Sequence, residues 1–146
     1  MSLLLATCTF VVEALIDASP AAVLAVLDDP PAYMRLNPLV IAVESAPGGS
    51  DMYFVTDRLP VLGLALKLRY RVRYTRVAEG FDADAWAALA TRLHNELRVA
   101  PDGAGARVRE TVRMTAPRPL LAYARATAQR SHRDLLDRLK RRCEGR

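Results

Sequence analysis

The sequence predicts an α+β fold in which seven antiparallel strands are closed by one long C-terminal helix. Turn signals at Pro47-Gly48-Gly49-Ser50, Leu59-Pro60 through Gly63, Glu79-Gly80 and Pro101-Asp102-Gly103 divide residues 39–115 into a meander of hairpins. Residues 64–77 alternate strictly. Leu64, Leu66, Leu68, Tyr70, Val72 and Tyr74 share one face and Lys67, Arg69, Arg71 and Arg73 the other, the period of a strand with one buried side. Beyond residue 118 the period changes. Leu121, Ala124, Ala128, His132, Leu135 and Leu139 form one stripe of a helix over residues 119–142.

The apolar run at residues 3–16, rich in Thr and Val, predicts a first strand over 5–16. Asp17-Ala18-Ser19-Pro20 stops it. Ser19 suits an N-cap and Pro20 the first helical position, so a short helix follows with Val23, Val26 and Leu27 on one face. Asp28-Asp29-Pro30-Pro31 ends that helix. A second short helix over 32–36 is broken by Asn37-Pro38. The remaining strands are expected at 39–45, 51–58, 64–77, 82–89, 91–100 and 106–115.

At 146 residues and 51% apolar content the chain is read as one domain, residues 1–146, with material for a sizeable core. Cys8 and Cys143 sit at opposite ends without metal-ligand spacing and are read as reduced packing residues. The net charge of +5 comes mainly from arginine, and no nucleic-acid partner is expected from it. No segment has the length of a signal peptide's apolar region or of a membrane span, so a cytoplasmic location is the expectation. Glycine-rich phosphate loops, zinc-protease and serine-hydrolase motifs are absent, and neither a metal nor a cofactor is expected. The oligomeric state is left open.

The stripe of the last helix runs large, small, small, polar, large, large, which leaves a gap at Ala124, Ala128 and His132 where a core face is normally thickest. Strand register supplies a facing wall. A two-residue turn at Glu79-Gly80 sets Arg73 opposite Trp86 on the outer face, beside the basic row. Pairing Val99 with Ala106 sets Asn95 opposite Glu110 on the inner face and Glu96 against Arg109 outside. His94 then faces outward. Tyr70, Tyr74, Asn95, Glu110 and His132 thus project among apolar side chains, the mixture found in small-molecule sites. Glu110 and His132 are the candidate acid/base groups, since an apolar setting raises a carboxyl pKa and depresses that of an imidazole. A plain structural reading stays open: Asn95 and Glu110 as a cross-strand pair, His132 as a cap, the alanines as close-packing residues.

Three segments in this order are similar to one known family: Ile16-Asp17-Ala18-Ser19-Pro20-Ala21-Ala22-Val23 through Asp29-Pro30, then Val43-Glu44, and finally residues 132–144 with Leu135, Leu136, Leu139 and Lys140. The whole chain resembles the helix-grip superfamily of START, Bet v 1 and polyketide cyclase domains. The resemblance implies a curved seven-stranded sheet wrapped around the final helix, with a cavity for a lipid, polyketide or similar molecule. It transfers no catalytic residue, and a fold shared by carriers, receptors and enzymes does not select among them. Tyr33, Met34, Leu66, Ala124 and Ala128 complete the expected lining. Val61 and Leu62, in an unusually apolar turn, become the cavity mouth or a lip that touches membranes transiently.

The expected function is binding of a hydrophobic small molecule, as carrier or sensor. The alternatives are a metal-free enzyme of the cyclase, aromatase or dehydratase kind, and a protein-interaction module using the basic surface.

Overall fold

The computed structural model describes residues 4–48 and 51–146. Leu3, Gly49 and Ser50 lie outside the described residues, and with them the start of the first apolar run and half of the first expected turn. The elements follow as β1 (Leu5–Ile16), α1 (Pro20–Leu27), α2 (Pro30–Met34), β2 (Val40–Ser45), β3 (Met52–Val61), β4 (Leu64–Val77), β5 (Gly80–Trp86), β6 (Arg92–Asp102), β7 (Gly105–Pro117) and α3 (Arg118–Cys143). Seven strands form one antiparallel sheet in the order β1-β7-β6-β5-β4-β3-β2. The sheet is curved, and α3 lies along its inner face, chiefly over β1 and β7. No helix among the described residues is long and apolar enough to cross a membrane.

Local chemistry explains the helix starts. Ser19 accepts a hydrogen bond from the Ala22 amide at 3.1 Å, with Pro20 as the first helical residue. Asp29 does the same for Ala32 at 3.2 Å. The second helix therefore begins at Pro30 rather than at residue 32, because prolines fit a first turn whose N–H groups need no helical partner. The strand expected over 82–89 stops at Trp86. Leu89 and Ala90 take left-handed backbone, φ 59° and 57°, and turn the chain into β6.

Two hairpin registers differ from the expected ones, each by two residues. Val77 pairs with Gly80, so the β4–β5 turn is Ala78-Glu79 and Trp86 faces Arg71 instead of Arg73. Gly80 is needed inside the sheet: a Cβ there would lie 1.8 Å from the Leu97 carbonyl oxygen. Likewise Asp102 pairs with Gly105, Val99 faces Val108, and Leu97 rather than Asn95 faces Glu110. Glu96 consequently meets Thr111, not Arg109. An even shift leaves every side chain on its expected face. Lys67, Arg69, Arg71 and Arg73 are exposed, Arg71 lies over the Trp86 ring at 5.2 Å, and Arg69 lies over Phe54 at 4.5 Å.

The core is concentrated at one end of the inner face. Val23 and Leu27 of α1 pack there with Ile16, Phe81, Leu97, Val108, Leu136 and Leu139, all at most 2% exposed. The first half of α3 is different. Leu120 and Tyr123 are 42% and 50% exposed, and on the facing strand Leu64 and Leu66 are 66% and 49% exposed. β4 also runs on from Arg71, the partner of Trp86, to Leu64, so the β3–β4 hairpin projects past β5 as an arm. Tyr123 donates a hydrogen bond to the Pro60 carbonyl at 2.8 Å and ties that arm to the helix. Cys8 and Cys143 are both free thiols.

Gly80→Ala tests the register. A methyl forced against the Leu97 backbone is expected to cost about 3 kcal/mol in denaturant unfolding, whereas a glycine needed only for a turn would tolerate it with little loss.

Candidate functional site

The gap in the helix stripe is occupied by an ion pair. Glu110 projects from β7 between Val108 and Val112 and is 1% exposed. A carboxylate so placed must find a partner or stay neutral. His132, on α3, meets it with Nδ1 2.6 Å from Oε1, and Asn95 on β6 donates to Oε2 at 3.4 Å. Asn95 and Glu110 are therefore diagonal neighbours that still bond, although the register sets Asn95 opposite Val112. Phe10 packs its ring edge against the imidazole, with centroids 6.1 Å apart.

The His132 pKa moves opposite to the expected direction. Burial depresses it, but the charge and hydrogen bond of Glu110, with a further contribution from the Asp57 charge, raise it above the usual histidine value. A carboxylate at bonding distance outweighs desolvation here.

Asp57 is the residue that the sequence reading passed over. It lies on the inner face of β3, opposite Leu68, and is 9% exposed. The Tyr70 hydroxyl donates to its Oδ1 at 3.0 Å. Burial pushes the Asp57 carboxyl up to about 6, more than the Tyr70 bond and the His132 charge lower it. Its signal was present, because Tyr53, Val55, Asp57 and Leu59 alternate onto the face that carries Tyr70. Burial and the adjacent Asp57 carboxylate drive the Tyr70 hydroxyl well above its ordinary value.

Two more polar atoms are buried and lack a partner among the described residues: the Tyr33 hydroxyl and Asn95 Oδ1. Tyr33, on α2, packs edge-on against Phe81 at 5.0 Å, and burial with the Glu110 charge raises its hydroxyl pKa. Tyr74 is committed elsewhere. It stacks on Phe81 at 4.4 Å and donates to the Leu27 carbonyl at 2.9 Å. Met34 and Ala128 pack at the margin of the core, and Ala124 is half-buried. Leu66 and Val61 lie out along the arm, whose tip, Leu62, is 97% exposed with φ 50°.

The structure thus brings Asn95, Glu110, His132, Asp57 and Tyr70 into one electrically coupled interior. Two open grooves lie outside it. One, of about 420 Å³, runs between β1 and the first half of α3 past Cys8, Leu121, Arg125 and Gln129. The other, of about 480 Å³, lies on the outer face by Trp86, Arg92 and His94, where Asp84 holds His94 Nδ1 at 2.7 Å and raises its pKa. Among the described residues no three His, Cys, Asp or Glu side chains converge so as to hold a metal ion.

Asp57 gives a pH prediction. A carboxyl raised from 3.8 to about 6 on folding destabilises the folded protein once it ionises. Its penalty is absent below about pH 4, grows up to about pH 6 and is full above that. Asp57→Asn is therefore expected to stabilise the protein at pH 7 by about 2 kcal/mol and to leave it unchanged at pH 4. Equal or lower stability at pH 7 in urea titrations would contradict the assignment.

The sequence matches the family model described as polyketide cyclase / dehydrase and lipid transport over residues 7–144. Among curated proteins none matches. Several solved structures share the fold. The ZhuI aromatase/cyclase from Streptomyces sp. R1128 aligns with a TM-score of 0.71 at 16% identity, covering 95% of this chain and 94% of that one. Ara h 8.0201 aligns at 0.72 and 14% identity, covering 97% and 100%. One half of the di-domain aromatase/cyclase StfQ from the steffimycin biosynthetic pathway aligns at 0.76 and 11% identity, covering 95% of this chain and 51% of that one. Identities this low speak for the fold alone. With the family match spanning nearly the whole sequence and the sheet closed on its last helix, the chain belongs to the polyketide cyclase/dehydrase and lipid transport family and has the Bet v 1-like helix-grip fold.

Proposed function

We propose that the protein binds a hydrophobic small molecule with a hydrogen-bonding head, as a carrier or sensor, between the inner sheet face and the first half of α3. The observation that supports this reading most is the pair of buried, unpartnered polar atoms on Tyr33 and Asn95. A buried polar group without a partner costs about 1–3 kcal/mol, and a ligand hydroxyl, both donor and acceptor, satisfies either atom. Leu66, Ala124 and Ala128 offer the apolar wall for the body of the molecule, and Val61 and Leu62 mark its way in.

A second reading, an enzyme of the cyclase, aromatase or dehydratase kind, is favoured by the Asp57 carboxyl near 6. A group with that pKa gives and takes protons near neutral pH, while Glu110 keeps the facing His132 oriented. The readings differ in what Asp57 does. An enzyme loses turnover in Asp57→Asn and His132→Ala, and its rate changes near pH 6; a carrier or sensor has no turnover to lose.

Naphthol, an apolar bicycle with one hydroxyl, serves as a probe for calorimetric titration. Tyr33→Phe and Asn95→Ala are each expected to weaken its binding about tenfold, the loss of one buried hydrogen bond, and Tyr33→Phe is expected to leave thermal stability unreduced. Unchanged affinity in both variants would remove the polar contacts from the proposal.

A further inference from the structure

We infer, resting on the binding reading above, that the guest is a hydrophobic amine whose ammonium group pairs with Asp57 on the inner face of β3. Two acids are buried among the described residues, Glu110 and Asp57, and the fold treats them differently. Glu110 has His132 Nδ1 at 2.6 Å and the Asn95 amide at 3.4 Å. Asp57 is 9% exposed and has one hydrogen-bond partner among the described residues, the Tyr70 hydroxyl, which donates to Oδ1 at 3.0 Å. It makes no ion pair with any of them.

A buried carboxylate calls for a counter-charge, and the cations on the surrounding elements are committed or turned away. His132 holds Glu110, so its positive charge is balanced at bonding distance. Arg35 and Arg138 donate to the Val43 and Leu36 carbonyls. Arg58, Lys67 and Arg69 are exposed on the outer side of β3 and β4, and Arg125 is exposed beside the groove against β1. The remaining titratable side chains turned to the inner face are the Cys8 thiol and the phenols of Tyr33, Tyr53, Tyr70 and Tyr74, none of which brings a positive charge. With Glu110 and His132 cancelling, the inner face carries one uncompensated negative charge whenever Asp57 ionises.

Hydrogen-bonding capacity points the same way. Asn95 Oδ1 is a buried acceptor that receives no donor from the described residues, and the Tyr33 hydroxyl beside this interior is likewise unpartnered. Asp57 has a single donor for two carboxylate oxygens. The inner face thus has acceptors to spare, and an ammonium group consists of donors alone. Burial pushes the Asp57 carboxyl up to about 6, so the free protein loses stability by ionising it, and a bound ammonium offsets that loss with a charge-assisted hydrogen bond. A neutral alcohol leaves the charge uncompensated. A carboxylic acid guest adds a second one.

Naphthylmethylamine and naphthalenemethanol, the same bicycle with an ammonium or a hydroxyl head, are compared by calorimetric titration. At about pH 7 the amine is expected to bind at least tenfold more tightly than the alcohol. At about pH 4, where Asp57 is protonated, that preference is expected to vanish. Near pH 6 binding of the amine is expected to release about half a proton from Asp57, read as a buffer-dependent heat that the alcohol does not give. Asp57→Asn, checked for native circular dichroism, is expected to lose the preference at about pH 7 as well; the pH profile of the unaltered protein reads the same pairing without a variant. Equal affinities at about pH 7, or a preference that survives at about pH 4 or in Asp57→Asn, overturns the inference, and binding of the alcohol in that case leaves the binding reading standing. If neither compound binds, the binding reading fails and the inference with it.

Discussion

The contact between His132 and Glu110 fixes where the final helix can lie. Glu110 is nearly inaccessible to water, and only a cation or donors at bonding distance let its carboxylate stay there; His132 at 2.6 Å and Asn95 at 3.4 Å supply them. A buried pair of this kind contributes little against an apolar replacement, yet removing one partner costs about 3–5 kcal/mol because the other charge is stranded. It therefore specifies position more than it adds stability. On its C-terminal side Leu135, Leu136 and Leu139 close the core against β1, β7 and α1. On its N-terminal side α3 makes no comparable packing, and its outer contact with the sheet is the Tyr123 bond to Pro60. The buried residues of α3 thus begin at Ser131 and His132 and run toward its C-terminus.

The same pair sets the electrostatics of the space beside it. A positive charge on His132 lowers the Asp57 carboxyl, and the Asp57 charge in turn raises His132. Burial still dominates Asp57, so the two acids of the inner face differ in their partners. Glu110 is engaged by the helix, whereas Asp57 titrates near neutral pH beside a tyrosine hydroxyl. Family membership and fold do not choose between a binding role and a catalytic one, and that choice rests on the chemistry of these side chains.

Much of this arrangement was legible in the sequence because strand alternation is insensitive to an even error in register. Trp86 was expected on the outer face beside the basic row, and Asn95 and Glu110 on the inner face, and the structure keeps those faces although Trp86 meets Arg71 instead of Arg73 and both hairpin turns are displaced by two residues. The displacement has a cause invisible to local turn rules: Gly80 and Gly105 are required where neighbouring backbone comes within 1.8 and 2.5 Å of a would-be Cβ. Asp57 escaped notice although it lay inside the expected strand over 51–58, because that strand was given no register against the next one, and its alternation was therefore never referred to the face that carries Tyr70. The polar member of the helix stripe, His132, is a clasp to the sheet, and Ala124 and Ala128 lie on its N-terminal side. The depression expected for the imidazole failed since periodicity does not reveal a carboxylate at bonding distance.

The central claim, that the space beside α3 is kept for a hydrophobic guest, is tested most directly by native mass spectrometry of the protein purified from its own source. The account predicts a population whose mass exceeds that of the chain by one small apolar molecule, released on denaturation. A uniform mass of the bare chain, together with a crystal structure in which α3 and the β3–β4 arm close on each other with no space beside Ala124 and Ala128, would contradict it.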